Sequence, residues 1–264
     1  LPMPRRVAAA AGGARVQLTR TVAPGRYSIP ARHPGASPRA PTDGEEAIYH
    51  QYRAAFASAR RTIYLESQHP GERRLLELLD AALARGVSVT LLVPGEPLGA
   101  IRRARATAER YWREPAAERP PRPPRYAETF ARLDALAQHP RFTLAALAVN
   151  DGAGGYREVY VHAKLCLIDD AWGTIGSANL VDISLLADHT ELNLSFWHGA
   201  SAARLLRALV AEHAGLDPAT LGAWSDREVV EKFQETARAN ARRRSAGAPL
   251  RGHCYALEPT RYGA

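Results

Sequence analysis

Lysine is almost missing from this chain: of 35 Lys and Arg residues, only Lys164 and Lys232 are lysine. Where Arg serves for nearly every cation, a retained Lys marks a place that suits a compact ammonium better than a planar guanidinium. Cysteine is scarce as well. Cys166 and Cys254 are the only two, too few for a disulfide framework or a thiolate metal site. Cys166, inside an apolar run, is expected as a buried filler, and no metal or cofactor is expected. Long hydrophobic runs are absent too. The longest, residues 142–149, is far short of the roughly 20 apolar residues a membrane helix needs, and no signal-peptide pattern opens the chain. The expectation is a soluble chain of open localisation, with any membrane contact peripheral. Leu1 is not Met, which favours a segment cut from something longer.

Arg, Ala, Pro and Gly are plentiful, and 264 residues give room for one α/β domain with a sizeable core plus extensions. The formal charge of +8 suits polyanionic partners such as phospholipid surfaces or nucleic acids. An Arg-rich composition spread over a solvated surface explains it equally well.

In chain order, residues 1–44 read as a linker or edge-strand segment, broken by Pro and Gly, with 15–20 as a short strand. Asp43 is placed to cap a helix over 44–61, followed by a core strand at 62–67. Leu75, Leu76, Leu79 and Leu83 predict a helix over 72–85 that Gly86 ends, and 87–93 is a second buried strand. A basic helix over 98–112, a stiff proline-rich loop over 115–125, a helix over 126–138 and a strand over 141–149 follow. The glycine-rich turn at 150–155 returns the chain into a strand. This order predicts an α/β fold: a mixed, largely parallel sheet flanked by helices, with a helical C-terminal tail. Its expected divisions are 1–44, 45–200 and a helical extension over 201–264.

The chemistry gathers between Val161 and Leu180. His162, Lys164 and Asp169 have the spacing H-x-K-x4-D, and Gly176, Ser177 and Asn179 follow as G-S-x-N. Six fixed positions, each matched by chance about one time in twenty, arise in a chain of this size with odds of order 10⁻⁶. An uninterrupted strand through the motif sets His162 and Lys164 side by side on one face, with Val161, Ala163, Leu165 and Leu167 on the other. Imidazole, ammonium, hydroxyl and carboxamide then converge at one rim. This set suits a phosphate: Lys supplies charge, Ser and Asn supply donors, and His attacks phosphorus or carries a proton. The remaining eight histidines show no zinc-site spacing. Gln68 and His69, just past a parallel strand, are placed to touch substrate.

These residues resemble the phospholipase D superfamily, named for its HKD motif, and the resemblance runs from about Glu45 to Leu216. Thr190-Glu191-Leu192-Asn193-Leu194 is similar to the family's strand after G-S-x-N, with Glu191 at its acidic position. The tail resembles that of phospholipase D chains more than that of short nucleases. The resemblance implies catalytic roles for His162, Lys164, Asn179 and Glu191, phosphate binding by Lys164, Ser177 and Asn179, and structural support from Asp169 and Gly176. It also implies a phosphohistidine intermediate that needs two motifs, whereas this chain carries one. The second is expected from a homodimer mate or from a preceding half of a longer polypeptide, and the latter is favoured. The expected substrate is a glycerophospholipid, cleaved or transferred. A nuclease and a noncatalytic lipid-binding half are the alternatives.

Overall fold

The computed structural model describes residues 12–26, 43–152, 154–186 and 188–264; most of the expected 1–44 linker lies outside them. The first strand, β1 (Arg15–Val22), is followed by the two-residue β2 (Glu45–Glu46) and by α1 (Ala47–Ser58). Two β-α repeats come next: β3 (Thr62–Glu66), α2 (Arg73–Ala84), β4 (Ser88–Leu92) and α3 (Gly99–Arg113). After α4 (Arg125–Leu136) come β5 (Phe142–Asn150), β6 (Tyr156–Val159), β7 (Leu165–Ile168) and β8 (Trp172–Gly176). The chain closes with α5 (Asp182–Leu185), β9 (Glu191–Trp197), α6 (Gly199–Ala214), α7 (Pro218–Leu221), α8 (Asp226–Ser245) and β10 (Cys254–Ala256).

The ten strands of the described residues join one sheet in the order β10-β5-β4-β3-β7-β8-β9-β1-β2, with β6 also paired to β5. The mixed sheet flanked by helices is as expected, but its parallel part is smaller: among the strands of the described residues only β3–β4 and β4–β5 are parallel pairs. The other pairings are antiparallel; between β7 and β8 a short turn requires it, since tight turns cannot connect parallel neighbours. After β9 the chain holds α6, α7 and α8 and then returns β10 to the sheet beside β5.

Every residue of β3 and β4 is buried, which explains their nearly unbroken apolar runs. One face carries α1 to α4 over Ile63, Leu65, Val89, Leu91 and Cys166. The other carries α6 to α8 over Tyr64, Leu92, Leu165 and Leu167. Cys166 is fully buried, as a filler should be. The expected cap at Asp43 is not formed, since Glu45 and Glu46 pair with β1 and α1 starts only at Ala47.

On the second face, beyond α6, part of the sheet lies uncovered. Val16 and Leu18 on β1, Leu192 and Leu194 on β9, and Ile175 on β8 are 38–63% exposed. Leu18 and Ile175 both pair in register with Leu194, so these side chains form one patch.

Asp169, just after β7, has a positive φ of 55°. Its carboxylate accepts from the Arg60 amide at 2.7 Å and from the Arg61 and Thr62 amides at 2.8 Å. The carboxylate thereby ties the turn after β7 to the entry of β3. Charge-assisted bonds of this kind are the stronger ones. Asp169→Ala is expected to destabilise the fold by about 2–3 kcal/mol, at about 1.5–3 kcal/mol per bond to a charged group less what solvent replaces; the midpoint of urea unfolding reads it.

Candidate active site

The motif does not lie on one continuous strand. Leu147 of β5 pairs with Cys254 on one side and with Val159 on the other. Thus β6 takes up the edge of β5 that β4 leaves at the Leu92–Ala145 pair. β7, however, pairs with β3, one strand further on. To get there, residues 160–164 leave the ladder and cross the carboxyl ends of β4 and β3. His162 and Lys164 therefore lie on an irregular crossing rather than on a strand face, at the end of a parallel sheet where ligands bind. Val161, Leu165 and Leu167 share the second-face core, while Ala163 is exposed.

Each motif residue has a distinct setting. The His162 side chain is exposed and stacks on Tyr160, ring centroids 5.9 Å apart and 26° from parallel. Lys164 is buried, and its Nζ donates to the His162 carbonyl at 2.8 Å, leaving two N–H groups for another acceptor. Burial lowers the Lys164 pKa, and the charge of Glu191 opposes that shift.

Gly176 is where β8 passes closest to β9. A Cβ there would lie 2.2 Å from Asn193 Oδ1 and 2.3 Å from the Leu192 carbonyl oxygen, so only glycine fits without separating the strands. Its amide donates to the Lys164 carbonyl at 3.1 Å. The Ser177 hydroxyl, expected to face phosphate, instead donates to Glu191 Oε2 at 2.5 Å and accepts from the Leu192 amide at 3.1 Å. Its only proton is thus committed to holding Glu191. Asn179 Nδ2 donates to Gln68 Oε1 at 3.1 Å, while its Oδ1 is buried without a hydrogen-bond partner.

The five residues His162, Lys164, Ser177, Asn179 and Glu191 are thus brought to one end of the sheet, whereas Asp169 stands at the opposite end of β7. Three further residues join them. Gln68, which also bonds Tyr160, was legible from its place after β3. Tyr160, two residues before His162, was not singled out. Neither was His189, whose Nδ1 lies 3.3 Å from Glu191 Oε1 and 3.1 Å from Ser184 Oγ. Its position two residues before Glu191 was the available signal.

The family model described as cardiolipin synthase, PLD-like domain, matches residues 52–211, and the chain belongs to that family. No curated protein matches the sequence. Among solved structures, NucT from Helicobacter pylori is 12% identical with a TM-score of 0.44, covering 72% of this chain and 91% of its own. Nuc from Salmonella typhimurium, a phospholipase D family member, is 15% identical with a TM-score of 0.44, covering 74% and 91%.

Two outcomes follow from this geometry. Gly176→Ala is expected to cost about 1–3 kcal/mol by overpacking, lowering Tm by roughly 2–10 °C for a domain this size, as read by calorimetry. His69, packed against Phe130, is lowered by burial from 6.5 to about 4. Unfolded His69 therefore takes up a proton before the folded form does, and stability should fall as pH drops from about 6.5 towards about 4. Chemical denaturation at several pH values should show this loss diminished in His69→Gln.

Proposed function

We propose that the chain is a phospholipase D-like phosphodiesterase or phosphatidyltransferase, acting on glycerophospholipids through a phosphohistidine intermediate. The reading rests above all on the meeting of His162, Lys164, Asn179 and Glu191 at the crossing over β3 and β4. In the first step one imidazole nitrogen attacks phosphorus, the P–O bond to the leaving alcohol breaks, and a second imidazole gives that alcohol its proton. Water or another alcohol then attacks the phosphohistidine, giving up its proton to the second imidazole and restoring the first. The free N–H groups of Lys164 and the amide of Asn179 offset charge on the non-bridging oxygens. Glu191, held by Ser177, orients a histidine.

Two imidazoles are needed and this chain brings one H-x-K. The second is proposed to come from another unit of the same fold, with His162 as the proton donor where that unit precedes this chain. The uncovered patch of Val16, Leu18, Ile175, Leu192 and Leu194 supports this, because it is apolar, belongs to the sheet and adjoins the site: the Leu192 amide bonds Ser177. Apolar patches of this kind mark interaction surfaces.

The second reading is a nuclease of the same superfamily. Its support is the +8 charge together with exposed Arg102, Arg103, Arg110 and Arg113 on α3. Assays with phosphatidylglycerol, phosphatidylcholine and single-stranded DNA, all in EDTA, separate the two; turnover of DNA but of no lipid reverses the ranking. A third reading, a noncatalytic lipid-binding half, predicts an inactive monomer in sedimentation.

His162→Ala should abolish turnover, and Lys164→Arg should lower kcat at least 100-fold, since a planar fork cannot take the ammonium's place. Near wild-type rates for both variants would remove these roles. Leu194→Glu, on the open face, should leave the fold intact and abolish self-association wherever sedimentation finds it.

A further inference from the structure

The crossing that carries His162 and Lys164 starts where β6 stops, and Glu158 is the last inward-facing side chain of that strand. Along β6, Tyr156 and Glu158 are half-buried while Arg157 and Val159 are exposed. Both Glu158 oxygens are taken. Oε1 pairs with Arg244 Nη2 at 2.6 Å, and Oε2 accepts from the Tyr255 hydroxyl at 2.7 Å. Arg244 lies in the last turn of α8 and Tyr255 on β10, so the C-terminal extension grips the strand from which the motif departs.

Independent features make room for this grip. The Arg244 guanidinium lies over the Tyr255 ring, 4.3 Å from its centroid, and over the Tyr156 ring at 4.9 Å. β10 and β6 both flank β5, with Tyr255 opposite Ala146 and Glu158 opposite Ala148. These two alanines are fully buried, and only side chains that small let Tyr255 reach across β5 to the carboxylate. Gly95, in the loop after β4, closes the cluster: a Cβ there would lie 2.1 Å from the Tyr255 hydroxyl and 2.2 Å from Glu158 Oε2. Burial, and then the bond to Glu158, hold the Tyr255 pKa above its ordinary value, so the hydroxyl remains a donor.

Stability alone does not account for such a cluster. The Glu158 side chain is 14% exposed, and withdrawing a charge from water is costly enough that apolar residues of similar size often serve as well. Arg244 Nη1 is in addition buried without a hydrogen-bond partner. What the ion pair supplies is a fixed direction. Beyond Glu158 the path to His162 runs through Val159, the last residue of β6 paired with β5, and through Tyr160. The Tyr160 hydroxyl bonds the Gln68 amide, and its ring stacks on His162. A displacement of Glu158 therefore passes through Tyr160 to the imidazole.

We propose that Glu158 is a positioning residue for His162: locked by Arg244 and Tyr255, it sets where the crossing leaves the sheet, so that α8 and β10 govern the place of the imidazole. The assignment rests on the phosphodiester reading above and gives the C-terminal extension a part in it. Glu158 itself touches no substrate.

The test follows the imidazole signals of His162 by proton–carbon NMR on the full chain, together with calorimetric titration with tungstate. His162→Ala identifies the signals, and Tyr160→Leu gives their position without the ring current of Tyr160. Glu158→Gln, nearly isosteric, and Arg244→Met, which keeps the stem and loses the charge, both break the ion pair; Arg244→Lys keeps it. In the two broken variants the His162 signals are expected to move at least halfway to their position in Tyr160→Leu, while those of His139, before β5, and His198, after β9, stay in place. Tungstate should bind at least fivefold more weakly to both, and Arg244→Lys should return both readouts to within twofold of the wild type. His162 signals unmoved in both broken variants overturn the proposal. So does a lowered urea midpoint with all histidine signals moving together, which is the mark of general loosening, and so does Arg244→Lys behaving as Arg244→Met. Tungstate binding to the wild type that Lys164→Ala leaves unchanged sinks the phosphodiester reading instead, and the His162 signals then decide on the lock by themselves.

Discussion

The register of β7 against β3 is the constraint on which the site depends. Leu165 stands opposite Glu66 and Ile168 opposite Ile63, so the start of β7 comes to the carboxyl end of β3 and nowhere else. A slip of one residue would turn Cys166 and Ile168 out of the first core and Leu165 and Leu167 out of the second. Both faces of β7 are buried, so that exchange is prohibited by packing on two sides. The Asp169 carboxylate fastens the far end by holding three amides at the entry of β3. Once both ends are fixed, the five residues before β7 have one path, across the ends of the parallel strands.

The same register accounts for β8 and β9. Gly176 follows from the β7–β8 turn and must lie against Asn193, where no side chain fits. Ser177 then meets Glu191 across the gap and holds its carboxylate. The result is a buried ammonium and a buried carboxylate, each with its own local partner, at the same end of the sheet as an exposed imidazole. Arg in place of Lys164 would need room for a fork where the crossing leaves room for a point. This gives a physical reason for one of the two lysines in a chain that otherwise uses arginine.

Much of this was legible in the sequence because it depends on periodicity and on spacing. The helical spacing of Leu75, Leu76, Leu79 and Leu83 located α2, and the buried runs located β3 and β4. The motif spacing pointed to His162, Lys164, Asn179 and Glu191, and all four lie at the same end of the sheet. What could not be read was set by long-range pairing. The run from Tyr156 to Ile168 looks like one strand because most of its residues are β-branched, aromatic or otherwise apolar. Its break at Tyr160 exists because β6 pairs with β5 and β7 with β3, a fact of topology with no local signal. The antiparallel character of most pairings was underestimated for a similar reason, since two β-α repeats at the start suggest a mixed but largely parallel sheet. The commitment of the Ser177 hydroxyl to Glu191 depends on a contact across fourteen residues, so its motif position alone suggested a phosphate donor.

The central claim is that the crossing segment and the Gly-Ser-x-Asn turn form one oxyanion site. Soaking crystals of the chain with tungstate, a phosphate-sized oxyanion visible by its anomalous signal, tests this directly. The account predicts a bound ion within hydrogen-bond distance of Lys164 Nζ and Asn179 Nδ2, with the His162 ring facing it. A fully occupied ion elsewhere on the surface, with Lys164 and Asn179 bonded only to their own chain, would contradict it.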